Sequence, residues 1–575
     1  MCSMYTICPI SCEFQFLRAI HDFQPDEVFC LTGRKIAKCN MGKRFEYRCS
    51  YCLTNMSLRE FLDKMQVEHQ KTEMDYDVKR YSWSKLTEDE LEYCIADVLG
   101  LYEALVRSFK IDKNKLSDVP MTSTGYVRKR FKHEMRSGGF IPMVHECAPD
   151  YDVYLMIRRA FRGGNTHANR CYTGIIMENV SSYDRASSYP DVLVNYPYPV
   201  KPFIKQDITE VDDIKYGFPY LLELEFTDLK QRDPFNGCPY LAVHKCYNDT
   251  ELTPLLGAIN DNGRVLEKDG TLVTFCTDID WGIIKEQYTW SSARVVKAYR
   301  SEYGMLPKAV IDTTMEYYRK KTELKGVVGQ EVFYNKSKAL LNSIYGMMAT
   351  NPVRTKLVFN GVDFSVQECD EAKELTKTNS KSFVCYSWGC WCTSIARKKL
   401  QCAIDLCGHK FIYCDTDSVK YVGTVDFTEL NAEIQALSEK HKAYADDPKG
   451  NRHYLGVYEP DAHYKRFVTL GAKKYAYEDD DGKLHITISG VSKNGADEMG
   501  CLENFKEGFI FRENAGMEAV YNDQWHDPVI IDGHTVEIPP NIYLHKSTYE
   551  LGLTGEYKKL FYLTQESFDR IMKTM

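Results

Sequence analysis

Tyr413-Cys414-Asp415-Thr416-Asp417-Ser418 sets two carboxylates two residues apart, behind the apolar pair Phe411-Ile412 and ahead of Val419, Tyr421 and Val422. The pattern predicts two short strands joined by an acidic turn. Side chains alternate along extended backbone, so the i, i+2 spacing lets both carboxylates approach one side of the hairpin. Two carboxylates held that close repel unless a cation neutralises them, and hard oxygen donors suit Mg²⁺ or Mn²⁺. The plainer use of the same residues is an Asx-type turn. What decides between the two is whether other segments supply matching chemistry.

Several do. Asp184-Arg185-Ala186-Ser187-Ser188-Tyr189-Pro190 reads as a strand end turning into a short helix, where a carboxylate facing a crevice is a frequent metal position. Lys338, Asn342 and Tyr345 fall at i, i+4 and i+7 of a helical stretch and share one stripe, with Leu340, Ile344 and Met347 on the other side. Such a stripe suits a nucleotide, with lysine on phosphate and tyrosine near a base, and it equally suits plain solvent exposure. Phe161-Arg162-Gly163-Gly164 pairs two glycines that allow a close backbone approach with arginines that favour a phosphate backbone. A simple tight turn is the commoner explanation. Tyr93 and Asp97 lie four apart on a helix and share a face.

The elements that must carry these residues follow from periodicity and caps. Leu58, Phe61, Leu62 and Met65 predict a helix over 57–65, and Thr87-Glu88-Asp89-Glu90 is a capping box for a second helix running to about Phe109. Residues 191–307 read as a β-rich insertion, 317–348 as continuously helical and 355–380 as a charged loop. Helices over 382–406, stopped by Gly408, and over 431–444 complete the reading, with Lys473-Lys474-Tyr475 in a β-run ahead of the Asp479-Asp480-Asp481-Gly482 turn.

A chain of 575 residues with 44% hydrophobic content has room for several domain-sized units, and its formal charge of −8 excludes a uniformly basic surface. Nucleic-acid contact would have to come from local patches: Arg128-Lys129-Arg130 with Lys132, Arg158-Arg159 with Arg162, Arg319-Lys320-Lys321, Arg397-Lys398-Lys399 and Lys473-Lys474. No apolar run has membrane-span length and no leader pattern opens the chain, which predicts a soluble intracellular protein with no membrane partner. The 21 cysteines then read as reduced thiols. Cys8-x3-Cys12 with Cys49-x2-Cys52 is a weak candidate zinc set.

Asp184 to Pro190, Lys338 to Gly346, Tyr413 to Ser418 and Lys473-x-Tyr475, in this order, resemble the motifs of family B DNA polymerases, and look most like the protein-primed bacteriophage subgroup. Phe161-Arg162-Gly163-Gly164 resembles that family's Tyr-x-Gly-Gly/Ala element, with Phe161 in the tyrosine's place. The resemblance implies an α+β, right-hand polymerase fold with a partial ribonuclease-H-like exonuclease domain at the amino terminus. It divides the chain into a shortened exonuclease domain (1–115), first palm segment (116–196), terminal-protein-region insertion (197–307), fingers (308–351), strand-displacement insertion (352–382), second palm segment (383–490), and thumb with a carboxy-terminal extension (491–575).

By the same resemblance Asp184, Asp415 and Asp417 are catalytic. Asp184 and Asp417 would ligate two Mg²⁺ ions, with Mn²⁺ as a substitute and Asp415 in support. Ser187, Tyr189, Lys338, Asn342, Tyr345 and Lys320 or Lys321 would meet the incoming nucleotide, Tyr189 excluding a 2′-hydroxyl. Phe161, Arg162, Gly163, Gly164, Lys473 and Tyr475 would contact primer and template DNA. The implied partners are template–primer DNA, deoxynucleoside triphosphates and a terminal-protein primer, for a monomer working in the infected host's cytoplasm. Lys71, Tyr93 and Asp97 match the third exonuclease element, while Glu13, Asp22 and Asp26 do not fit the first two. Roughly 70 residues of the usual domain are missing against the resemblance, which implies that proofreading is lost, is supplied by another polypeptide, or is restored by a reading frame that starts earlier. A catalytically impaired DNA-binding remnant is the alternative.

Overall fold

The computed structural model describes residues 4–8, 14, 17–18, 20–32, 35–42, 45–75, 78, 80–81, 83–111, 115, 118–359, 364–522, 526–538, 541–553, 558 and 560. Its chain forms two compact units, one of 1–151, 307–389 and 445–453, the other of 152–306, 390–444 and 454–575.

The first unit joins a four-stranded sheet to a set of helices. The sheet runs in the order Met4–Cys8, Phe45–Cys49, Lys35–Met41, Val28–Thr32, its first pair parallel. Helix Leu58–Met65 starts where Ser57 caps the Glu60 N–H, and Glu88–Ile111 starts on the expected capping box, Thr87 and Glu90 bonding each other's backbone. The predicted helix over 317–348 is two helices, Lys308–Glu323 and Glu331–Met348, because Gly326 and Gly329 adopt φ of 71° and 77° and break the run. The predicted loop over 355–380 holds a hairpin, Lys356–Phe359 with Phe364–Gln367, and a helix Glu371–Asn379 capped by Asp370. Cys49 and Cys52 are buried in an apolar cluster with Phe14 and Phe23, which suits thiols packed as small hydrophobes. Cys12 and the Cys8 side chain lie outside the described residues. Among the described residues, no helix is long and apolar enough to cross a membrane.

Two antiparallel sheets build the second unit. The β-rich reading of 191–307 corresponds to a seven-stranded sheet around Tyr220–Gln231, Arg264–Thr277 and Ser292–Arg300. The short helix Asp278–Gln287 closes it, with Trp281, Ile283 and Ile284 in the apolar cluster. The other sheet runs in the order Leu484–Ile488, Lys474–Glu478, Tyr458–Gly471, Met177–Arg185, Ser418–Val422, Phe411–Asp415, Thr166–Ala168. Phe411, Ile412, Tyr413 and Cys414 are all 0–1% exposed, so both faces of that strand are covered. Burial on both faces is why its sequence is an unbroken apolar run. Each large apolar side chain so enclosed contributes roughly 1.5–3 kcal/mol.

The start of the Asp278–Gln287 helix gives the sheet it closes a pH dependence. Asp278 accepts from the Tyr220 N–H at 3.1 Å and from the Tyr303 hydroxyl at 2.7 Å. Burial outweighs both bonds and pushes its pKa up to about 7 from an ordinary 3.8. A raised folded-state pKa means the folded chain holds a proton that the unfolded chain releases. The stabilisation is therefore complete below about pH 4 and lost as pH rises through 7. Asp278→Asn should remove that decline, raising stability at pH 8 relative to the parent by roughly 1–3 kcal/mol, as read by denaturant titration at pH 5 and pH 8.

Candidate active site

Asp415 ends one strand of the central sheet and Ser418 begins the next, with Ser418 registered opposite Asp184 on the neighbouring strand. That register brings two motifs far apart in sequence to the same end of one sheet. The turn is tight. The Asp417 N–H donates to the Asp415 carbonyl at 2.6 Å, and Thr416 carries φ of 61°. This is the rarer, strained γ-turn form. Ser187 and Lys473, both in the other motifs, also have positive φ, 51° and 57°. Left-handed backbone at three non-glycine motif residues is strain of the kind that collects at functional sites.

The three carboxylates are differently placed. Asp415 accepts from the Thr166 hydroxyl at 3.0 Å and forms an ion pair with Lys473. Its charge is already balanced. Asp417 offers its backbone carbonyl to the Arg185 N–H at 3.0 Å, which ties the turn to the strand end bearing Asp184. Both side chains are half-buried. With Asp415 turned toward Lys473, the described residues do not bring Asp184, Asp415 and Asp417 into a cluster with three ligand atoms within 4.8 Å. The donor chemistry nonetheless fits a divalent ion: two hard carboxylates, Asp184 near a strand end and Asp417 in the neighbouring turn, beside a third that is neutralised by a lysine.

Sequence reasoning missed the support beneath them. Arg185 is 1% exposed and pairs with the fully buried Asp191, which also accepts from Asn195 at 2.6 Å. The Arg185 Nε donates to the Gly456 carbonyl at 3.1 Å, and a Cβ on Gly456 would run into the Asp191 carboxylate. Asp191 sits one turn into the Ser188–Asn195 helix, so an arginine–aspartate pair six apart across a strand–helix junction was the available signal. Tyr189 lies on that helix's first turn, half-buried.

Lys473 donates its backbone N–H to the Tyr413 hydroxyl at 3.1 Å, and Tyr475 packs edge-on to the Tyr413 ring at 5.1 Å. The two halves of the Lys-x-Tyr motif thus bracket the strand that carries Asp415. A Cβ on Gly164 would meet the Thr416 side chain at 2.7–3.0 Å, so this glycine lets the segment lie against the Asp415–Asp417 turn. Gly164→Ala should cost roughly 1–3 kcal/mol through that overlap, measured by chemical denaturation.

Arg162 and Arg397 correct the surface-patch reading. Arg162 is 7% and Arg397 4% exposed. Arg397 donates to Asp280 at 2.7 Å, to the Tyr240 hydroxyl at 2.8 Å and to the Gly163 carbonyl at 3.0 Å, while Arg162 lies 3.8 Å from Asp280 and bonds the Phe275 carbonyl. A buried carboxylate draws both guanidinium groups inward.

In the first unit Lys338 and Asn342 are exposed and Tyr345 half-buried, on the predicted stripe. Leu341, Ile344, Met347 and Met348 are buried, so Leu341 takes the core place expected of Leu340. Lys320 bonds Glu316 one turn back at 2.6 Å and lies over the Tyr317 ring. Lys71 meets both Asp97 oxygens at 2.7 and 2.9 Å and the Tyr93 hydroxyl at 2.6 Å. Burial opposes its charge, but those bonds outweigh it and hold its pKa above the ordinary lysine value. Glu68, His69 and Glu103 form the one group among the described residues with three metal-type ligand atoms within 4.8 Å.

The sequence profile of the family described as DNA polymerase type B, organellar and viral, matches residues 43–435. The DNA polymerase of Bacillus phage B103 is 25% identical over 430 residues, which cover 72% of this chain and 65% of that protein. The phi29 enzyme is 24% identical over 459 residues, 76% of this chain and 71% of its own. The structure of phi29 DNA polymerase with primer-template DNA and incoming nucleotides superposes with a TM-score of 0.67 at 19% identity, over 94% of this chain and 88% of that one. The likeness in fold extends through the mixed helices and sheets of an α+β polymerase. A profile match across most of the chain, with both aspartate motifs on one sheet end, shows that the chain belongs to the type B DNA polymerases of organelles and viruses.

Proposed function

We propose that the chain is a DNA-directed DNA polymerase that adds deoxynucleotides to a primer 3′-hydroxyl, and that it serves protein-primed viral genome replication with strand displacement in the infected host's cytoplasm. The observation that carries this reading is the register of Ser418 against Asp184, which sets the Asp415–Asp417 turn beside the second aspartate motif. Asp184 and Asp417 would hold two Mg²⁺ ions, which when bound lower the pKa of the primer hydroxyl and neutralise charge on the departing pyrophosphate. Asp415, balanced by Lys473 and Thr166, keeps the turn in place and limits the site's negative charge. Ser187 and Tyr189 would line the nucleotide, and the Lys338, Asn342, Tyr345 stripe with Lys320 would grip its triphosphate and base. Phe161, Gly163, Gly164, Lys473 and Tyr475 would face primer and template.

We further propose the palm, fingers, thumb and insertion boundaries that the family resemblance implies, a monomeric enzyme and a terminal-protein primer. Lys71, Tyr93 and Asp97 would then be the surviving corner of a proofreading site that no longer works. Degradation of labelled single-stranded DNA, lost on Asp97→Ala, is the outcome that would overturn this last point.

Primer extension on a defined template with Mg²⁺ tests the activity; a folded parent protein that incorporates no deoxynucleotide sinks it. Sugar choice tests the site. Tyr189→Ala should raise ribonucleotide relative to deoxynucleotide incorporation by at least about tenfold, the scale of losing roughly 1.4 kcal/mol of steric exclusion. An unchanged ratio would remove Tyr189 from the nucleotide contact.

A further inference from the structure

Behind the catalytic turn of the second unit lies a cavity of about 130 Å³ lined by Arg162, Gly163, His244, Lys245, Arg264 and Arg397, with neighbouring aromatic and small residues. No carboxylate lines it among the described residues. The nearest counter-charge, Asp280, is fully buried and already shared by Arg162 and Arg397. Four permanent or near-permanent cations therefore face one small space with a single carboxylate between them. Such crowding is unfavourable unless an anion completes it.

Three observations indicate what that anion is. Arg162 Nε is buried and has no hydrogen-bond partner among the described residues, although the other guanidinium nitrogens bond Ala160, Phe275 and Thr274. A buried donor left unpaired calls for a partner. A Cβ on Gly163 would meet nothing within 4 Å, so the backbone borders open space. The volume falls well short of the roughly 300–1,000 Å³ that encloses a drug-sized ligand, and leaves room for one tetrahedral group with a few waters at about 30 Å³ each. Lys245, half-buried, and His244, exposed, stand where the cavity meets solvent. Burial and the neighbouring arginines hold both below their ordinary pKa values.

We infer that this cavity binds one tetrahedral phosphate, supplied by the backbone of the bound DNA strand, and that Arg162, Lys245, His244 and Arg264 are its recognition residues. The inference rests on the polymerase reading only for the source of the phosphate. Its place gives it a consequence. Arg264 donates to the Asn165 side chain, and the Asn165 carbonyl accepts from the Thr416 N–H at 2.7 Å. A strand phosphate seated here is registered through a single residue to the turn that carries Asp415 and Asp417.

Lys245→Gln removes one cation with little structural cost, since the amine's hydrogen bond is a long 3.4 Å one to the Arg159 carbonyl. Primer–template affinity measured by fluorescence anisotropy between 50 and 200 mM KCl should fall about five- to tenfold, and the slope of log K against log salt should shrink by about 0.9. Lys245→Arg should restore both. Lys230→Gln, which removes an exposed charge paired to Glu267 in the same insertion, should leave the slope as in the parent. In a second arm, inorganic phosphate is added to the parent and to Lys245→Gln during thermal unfolding. A Lys245-dependent rise in melting temperature with an unchanged DNA slope would keep the phosphate site and assign it to a free ligand. No change in either arm overturns the inference and leaves the cluster as packing. Failure of the polymerase reading is separately visible, because a parent that extends no primer can still show the Lys245-dependent DNA slope.

Discussion

Asp417→Asn will lower nucleotide incorporation by about a thousandfold or more, read as the single-turnover rate of primer extension with Mg²⁺ and deoxynucleotides. Asparagine keeps the shape and loses the charge. Asp417 holds the turn through its backbone, with its carbonyl taking the Arg185 N–H and its own N–H bonding the Asp415 carbonyl, so the fold should survive the change. On the proposed reading the change removes one of two hard anionic ligands, and several kcal/mol of transition-state charge stabilisation at about 1.4 kcal/mol per tenfold gives that scale. Asp415→Asn should be milder, on the order of 10–100-fold, because that carboxylate is already bound to Lys473 and Thr166 and on the proposed reading supports the turn without ligating metal directly. Equal losses at the two positions would erase the distinction drawn between them. Asp417→Asn within tenfold of the parent would dismantle the site altogether.

Arg397→Met should destabilise the second unit by roughly 3–5 kcal/mol, because it strips the fully buried Asp280 of its closest cation. Breaking a buried pair strands the other charge, whereas an exposed pair is worth little. The neighbouring Lys398 supplies the control. Its amine bonds Glu286 at 2.7 Å with the lysine 31% and the glutamate 59% exposed, so Lys398→Met should change stability by no more than about 0.5–1 kcal/mol. Denaturant unfolding followed by tryptophan fluorescence reads both. Comparable effects from the two substitutions would mean that Asp280 is not the fixed point proposed. Because Arg397 also holds the Arg162 and Gly163 carbonyls, its loss should loosen the segment lying against Thr416 and reduce incorporation as well.

Local pattern carried much of this molecule. Apolar residues flanking an acidic pair predicted the Phe411–Asp415 and Ser418–Val422 hairpin, a capping box predicted the helix from Glu88, and the i, i+4, i+7 spacing placed Lys338, Asn342 and Tyr345 on one stripe. These features depend on neighbours within a few turns, so they are written in sequence. The glycine pair that splits 317–348 into two helices was equally visible, but helical periodicity on both sides outweighed it.

Tertiary structure alone decided which charges meet. Arg397 stands in a run of three cations that reads as a solvated face, yet it turns inward because the helix at Asp278 buries Asp280 opposite it. Lys473 and Asp415 are 58 residues apart, and only the order of strands in the central sheet makes them a pair. That pairing gives Asp415 a cation and a fixed place beside Asp184 and Asp417. The amino-acid sequence determined which residue types could do the chemistry. The register of Ser418 on Asp184 decided which of them stand together, because sheet pairing between distant strands is set by the packing of the whole unit and leaves no local trace.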